Sequence, residues 1–247
     1  MPRLNKYIAS TGMCSRRKAD ELILDGKVAV NGKIINELGF HVREKDKVSV
    51  DGKNVYPQKM EYYRFYKPAG YITTLEDEKG RKTIYDVIPP ELKHLKPVGR
   101  LDKDSTGLLI LTNDGDLINA MTHPSIKVPK VYMVTINGRF TESNAEEMFN
   151  GIEIITDSGE KKIAFAETLP IEITNKSSII QVVLYQGINR QIRKMFAKLG
   201  FEVEVLKRVQ HATITLDGLK KGQVKILKPK QVKELKRYIE KITRENA

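Results

Sequence analysis

Leu108-Leu109-Ile110-Leu111 is an unbroken apolar run inside the segment GRLDKDSTGLLILTNDG, residues 99–115, and turn-forming residues bound it on both sides. A run so short and so bounded reads as a buried strand rather than a helix. Ser105-Thr106-Gly107 reads as the turn that leads into it. Asp102 stands just ahead of that turn and behind Arg100, where the sequence has neither helix nor strand period. It is therefore a carboxylate on a loop held against rigid core structure, the setting in which catalytic carboxylates are usually presented.

The chain has 247 residues, 40% of them hydrophobic, enough for one large domain or for a small one plus a medium one. Lys and Arg number 43 against 31 Asp and Glu, a net charge of +12. A surplus of that size points to a polyanionic partner, nucleic acid ahead of an anionic membrane, with a basic protein lacking such a partner as the alternative. Cys14 is the single cysteine, so neither a disulfide framework nor a cysteine-based zinc site can form. The start, MPRLNKYIAS, lacks the apolar stretch of a signal peptide, and no run of 18 apolar residues occurs, so a cytoplasmic protein without a membrane anchor is expected.

Residues 1–58 read as a separate module. Leu4, Tyr7 and Ile8 fall at i, i+3 and i+4, which predicts a short amphipathic helix over residues 3–10, broken by Gly12. Ser15 is placed to cap a second helix with Ala19, Leu22 and Ile23 as its buried stripe and Gly26 as its stop. Val28 and Val30 lead into Asn31-Gly32, and Val48 and Val50 lead into Asp51-Gly52 with Val55 beyond; both doublets signal hairpins. Arg3, Lys6, Arg16, Arg17 and Lys18 crowd the first helix and the start of the second. Cations at a helix N-terminus oppose the macrodipole. A phosphate reverses the sign, because free backbone N–H groups and guanidinium forks converge on it. The alternative is a solvated basic face.

The polar stretch YPQKM, residues 56–60, is the expected linker, which leaves 59–247 as a second domain. There Tyr62-Tyr63-Arg64-Phe65-Tyr66 is β-prone and Lys67-Pro68-Ala69-Gly70 ends it in a turn. Further strands are predicted at 131–136, 152–156, 163–168 and 178–185, and helices at 141–150, 191–199 and 231–244. Many strands and few helices predict an α+β fold with a mixed, mainly antiparallel sheet. DKDSTG opens like a calcium loop, but its fifth position is Thr106, its twelfth is Asn113 rather than Glu, and a strand fills the remainder. His41, His94, His123 and His211 are far apart and lack ligand spacing, so no metal site is read. No Walker loop, dinucleotide fingerprint or nucleophile elbow occurs, and no cofactor is expected.

Three further pieces accompany Asp102: Lys130-Val131-Tyr132 at the head of a strand, the basic helix start QGINRQIRKM from Gln186, and Leu206-Lys207-Arg208. Arg190 and Arg193 are three apart and share a face. On residue type alone, Tyr132 and Leu206 are more readily core than functional.

The 99–115 segment resembles the catalytic motif of the RNA pseudouridine synthases, in the branch typified by RsuA, RluB and RluF. YKPAGYITT, KVYMV and the L-x-R element match the same family, and RLNKYIASTGMCSRRKADELILDGKVAVNGKII resembles an S4 RNA-binding domain. The resemblance spans nearly the whole chain. It implies an S4 domain followed by a catalytic domain that turns a uridine of RNA into pseudouridine without a cofactor. By that resemblance Asp102 is the nucleophile, Tyr132 stacks on a flipped base, and Arg193 pairs with Asp102 and orients it. Arg190 then suits a phosphate, Leu206 lines the pocket and Arg208 reaches RNA. Arg100, Lys130, Asn189 and Gln191 complete the expected RNA contacts, together with Arg3, Lys6, Ser15, Arg16, Arg17 and Lys18 of the first module. Gln186 and Ile188 stand where many relatives carry an acidic and a basic residue, a departure that RluF-like members share. Ribosomal RNA, of the large subunit ahead of the small, is the expected partner of a monomeric enzyme. A non-catalytic S4-type ribosome factor and a methyltransferase are the competing classes.

Overall fold

The computed structural model describes residues 1–75 and 77–246; Ala247, the end of the expected second domain, lies outside the described residues. Met1–Glu61 with Asn113–Gly115 forms one compact unit and the rest of the described chain another.

In the first unit, α1 (Leu4–Ser10) and α2 (Arg16–Leu24) accompany β1 (Val28–Val30), β2 (Lys33–Ile34), β3 (Val48–Val50) and β4 (Lys53–Asn54). The strands form one sheet in the order β2-β1-β3-β4. Its apolar centre joins Leu4 and Ile8 of α1, Ala19 and Ile23 of α2, and the alternate valines Val28, Val30, Val48 and Val50. Both expected hairpins form with positive φ at each central residue: Asn31 52° and Gly32 82°, Asp51 47° and Gly52 75°. Those angles fit the right-handed twist of the strands they join. The Ser15 hydroxyl accepts from the Lys18 amide at 3.2 Å and caps α2, as its position predicts.

The second unit contains β5 (Tyr62–Lys67), β6 (Lys96–Pro97), β7 (Thr106–Thr112), all but the first residue of α3 (Gly115–Thr122), β8 (Lys130–Asn137), α4 (Glu142–Asn150), β9 (Ile152–Ile155) and β10 (Lys161–Ala164). It continues through β11 (Glu167–Ile173), β12 (Ser177–Leu184), α5 (Gln191–Lys198), β13 (Val203–His211), β14 (Ile214–Thr215), β15 (Val224–Ile226) and α6 (Pro229–Glu245). The main sheet runs β11-β12-β8-β13-β7-β5-β15, with β14 on β13 and β6 on β7. Strands β7 and β13 are parallel, and the other pairings of this sheet are antiparallel. The mainly antiparallel α+β expectation is met.

Strand β7 explains its own sequence. Leu108 and Ile110 pack with Met121, Leu235 and Ile239, while Leu109 and Leu111 pack with Phe65, Ile84 and Leu95. With both faces covered, polar alternation has no place, and the run is apolar throughout. Two expectations need correction. Gly107 is not a turn residue: it lies within β7 at φ 110°, where an added Cβ would stand 2.2 Å from the Arg208 carbonyl oxygen. It is glycine because two backbones approach closely there. The single strand expected over 163–168 is two strands, β10 in a separate two-stranded ribbon with β9 and β11 in the main sheet. Ala164 and Ala166 are buried at the crossing between them. Strand β11 extends to Ile173 through Pro170, with its register broken between Pro170 and Glu172, a substitution tolerated at a sheet edge.

Candidate active site

The loop that carries Asp102 is tied down from below. Lys67, at the end of β5, is fully buried, and its ammonium donates to the carbonyls of Pro68 (3.0 Å), Asp102 (2.9 Å) and Ser105 (2.8 Å). Burial brings that lysine down to about 8, against the opposing pull of the Asp102 and Asp104 carboxylates. The Thr73 hydroxyl donates to Leu101 O at 2.9 Å, and the Gly70 amide donates to Lys103 O at 2.7 Å. The backbone on both sides of Asp102 is therefore fixed while its side chain stays about 30% exposed. Lys67 and Thr73 are positioning residues that the sequence reading passes over. The available signal was a lysine at i+2 from Phe65, on the buried face of β5.

Above the loop opens a cavity of about 890 Å³. Asp102, Tyr132, Leu206, Arg190 and Arg208 all line it. The sheet brings them together: Tyr132 on β8 lies directly across from Arg208 on β13, and Lys130 lies across from His211. The register shift between Arg208 and Gln210 restores His211 to the face that carries Arg208. Tyr132 is 8% exposed and Leu206 6%, which leaves one ring surface and one aliphatic side chain as the floor.

The arginines are not arranged as expected. Arg193 pairs with Asp104, its Nε 3.2 Å from Oδ2, and its Nη1 donates to Val203 O at 2.8 Å, which turns it toward β13 and away from the Asp102 role. Arg190 comes to Asp102 instead, Nη1 to Oδ2 at 3.9 Å, while its two terminal nitrogens fork onto Asp104 at 3.2 Å each. Arg190 caps α5 in the left-handed region at φ 51°, a conformation that costs about 1–3 kcal/mol in a non-glycine residue and marks functional sites. Partial burial would raise the Asp104 carboxyl, but the Arg190 hydrogen bonds and the charges of Arg193 and Arg190 outweigh it and hold Asp104 below the usual carboxylate range.

Two other expectations change. Arg208 does not project toward solvent: it is 2% exposed, and its Nε donates to Leu108 O at 2.7 Å. Gln191 is also buried, its amide donating to Phe165 O and Gln186 Oε1 at 3.1 Å each, so it anchors the start of α5 rather than meeting RNA. Arg100 and Asn189 are exposed and line the cavity. Lys130 lines it too, partly buried, and burial, then the charge of Arg208, lowers it to about 8. In the first unit Arg3, Ser15, Arg16, Arg17 and Lys18 are exposed and Lys6 partly so, and Lys18 pairs with Glu21 at 2.7 Å. Among the described residues no three His, Cys, Asp or Glu side chains are grouped to hold a metal ion, and no helix is long and apolar enough to cross a membrane.

The family model for RNA pseudouridylate synthase matches residues 61–198, the part of the chain that supplies Asp102, Tyr132 and both arginines. The chain belongs to that family. The synthase also carries an S4 domain, matched over residues 2–53. It is 40% identical to ribosomal large subunit pseudouridine synthase B of Bacillus subtilis (strain 168), over 96% of each chain. It is 36% identical to the dual-specificity RNA pseudouridine synthase RluF of Escherichia coli (strain K12), over 96% of this chain and 79% of that one. A crystal structure of a pseudouridylate synthase superposes with a TM-score of 0.68 at 27% identity, covering 95% of the synthase and all of the other chain. The chain is thus an RNA pseudouridine synthase of the RsuA/RluB/RluF type, in which an S4 domain precedes the catalytic domain.

Proposed function

We propose that this synthase converts one specific uridine of large-subunit ribosomal RNA to pseudouridine, with Asp102 as nucleophile. The observation that carries the reading is the Asp102 carboxylate, partly exposed on a loop whose backbone is clamped, at the wall of a cavity floored by Tyr132 and Leu206. Residues 1–58 dock RNA by shape and phosphate contact through Arg3, Arg16 and Arg17, and residues 59–247 carry out the chemistry. The large-subunit assignment rests on the Bacillus relative's name. A paired uridine is flipped out at a cost of about a few kcal/mol, which stacking on Tyr132 offsets by about 1–3 kcal/mol.

In one route an Asp102 oxygen bonds to the sugar carbon C1′ while the C1′–N1 bond breaks and its electron pair stays on the base. The base turns, its C5 bonds to C1′, and the carboxylate leaves with its own pair. The C5 proton is then lost and N1 gains one, so the product is an isomer of the substrate. In the other route Asp102 adds first to the base. Arg190, with its Nη1 3.9 Å from Asp102 Oδ2, faces the attacking carboxylate in either route. The enzyme acts in the cytoplasm as a monomer.

The test maps pseudouridine across both ribosomal RNAs in cells that lack the protein, complemented with the natural chain or with Asp102→Asn. A single large-subunit site should vanish, return with the natural chain and stay absent with Asp102→Asn. A small-subunit site would move the target, and rescue by Asp102→Asn would remove Asp102 as nucleophile.

A further inference from the structure

Three basic side chains, Arg208, Lys130 and His211, cluster at the cavity. Arg208 is 2% exposed; its Nη2 is buried without a hydrogen-bond partner, and so are both ring nitrogens of His211. Lys130 donates to a single carbonyl, Val128 O at 3.0 Å. All three line the cavity. Desolvation, with the charges of Arg208 and Lys130 added, pushes His211 well below its ordinary value, so it stands neutral beside two cations. A buried guanidinium with an idle donor is costly unless something else occupies that donor.

Two anions could do so: a backbone phosphate, or the base itself during the reaction. Depth decides between them. Phosphates follow the strand at the mouth, where the exposed Arg100 and Arg190 stand, whereas the flipped base goes deepest. Arg208 is the direct cross-strand partner of Tyr132, which places its Cα about 4.5–5.5 Å from that of the proposed stacking platform. Whichever atom Asp102 attacks, electrons move onto the uracil ring. Attack at C1′ leaves the N1 pair there, shared with O2 and O4; attack at the base pushes a π pair toward O4.

We infer that Arg208, assisted by Lys130, stabilises the negative charge which the uracil ring carries while it is detached from the sugar. This rests on the reading of Tyr132 and Asp102 above. Donors fixed in a water-poor site toward developing charge are worth about 10²–10³-fold in rate each. They serve best when no ground-state partner competes, as at Nη2.

The experiment uses the full-length chain and a large-subunit RNA fragment carrying the mapped uridine, or 5-fluorouridine placed there by ligation. Fluorine at C5 withdraws electrons, so the detached base needs less help; with no C5 proton to lose, this substrate is followed to the C5–C1′ glycoside, which takes up water at C6, and not to pseudouridine. Single-turnover rates and RNA affinities are measured for the natural chain, Arg208→Gln, Arg208→Lys and Lys130→Met, with thermal melting to confirm folding. Arg208→Gln should slow uridine rearrangement about 100-fold or more and 5-fluorouridine rearrangement about 10-fold or less, with affinity nearly unchanged. Arg208→Lys, which keeps the charge, should fall between. Lys130→Met should show the same substrate dependence more weakly, and it carries the test if Arg208→Gln does not fold. Equal slowing of both substrates overturns the proposal in favour of a packing role, and a loss confined to affinity overturns it in favour of a phosphate contact. Asp102→Asn is run in parallel. Full activity there would sink the nucleophile reading separately, whatever Arg208 does.

Discussion

Replacing Gly107 by alanine tests whether the close approach of β7 to β13 is what builds the site. The new Cβ would meet Arg208 O at 2.2 Å, N at 2.6 Å and C at 2.9 Å, all backbone atoms that no rotamer change can move. Alanine at φ 110° costs about 1–3 kcal/mol of backbone strain. Forcing the strands apart adds about 1–3 kcal/mol of overpacking. Together these take about 2–6 kcal/mol from a domain whose total is about 5–15. Gly70→Ala is the control: φ is 94° there, but nothing lies within 4 Å, so it isolates the strain. Urea unfolding of both variants should place Gly107→Ala well below Gly70→Ala in midpoint. If Gly107→Ala still folds, its isomerisation rate should drop about 10²-fold, since ångström shifts of reacting groups cost that much. Equal unfolding midpoints for the two variants would refute the argument, leaving φ alone as the reason for glycine.

Changing Arg16 and Arg17 to glutamine should weaken RNA binding uniformly across sequences and flatten the dependence of log affinity on log salt by about one to two, read by filter binding between 50 and 200 mM salt; an unchanged slope would make that face merely solvated. Lys67 falls from 10.5 to about 8 on folding, so the unfolded chain binds more protons between those values and stability should rise with pH across the window, by at most about 3 kcal/mol. The gain between pH 8 and 10 in urea midpoint should shrink in Lys67→Met, and an identical gain would assign it to other groups. Arg190→Gln should change unfolding free energy by less than about 1 kcal/mol, because its pair with Asp104 is 41% and 46% exposed and screened by salt. A loss several times larger in the same urea titration would mean that the pair acts as a buried one.

Local chemistry was legible where the backbone itself dictates the residue. Asn31-Gly32 and Asp51-Gly52 announce their turns because few other pairs take two positive φ values. Ser15 announces a helix start by its capping oxygen. The fold class followed from strand count, and Asp102, Tyr132 and Leu206 do share one cavity. What the sequence concealed depends on long-range register. Glycine before an apolar run reads as a turn unless Arg208 is known to lie against it. Pro170 hides a strand that is permissible only at an edge. The partner of Asp102 could not be chosen from Arg190 and Arg193 by spacing, since residues three apart on a helix share a face. Both meet Asp104, and Arg190, at the left-handed cap of the helix, also comes within 3.9 Å of Asp102.

The same register explains why fold and chemistry meet at one place. The Asp102 loop enters β7 from one end, and Arg208 lies on β13, the strand that pairs with it in parallel through Thr106 and Gly107. On its other side β13 runs against β8, which brings Tyr132 opposite Arg208. A parallel neighbour on one edge and an antiparallel neighbour on the other put a loop carboxylate, a ring and a guanidinium at one end of three adjacent strands. Any slip of one residue between β7 and β13 would send Arg208 to the opposite face and leave the carboxylate without a floor beneath it. The close glycine contact, which admits no side chain in between, is what forbids the slip.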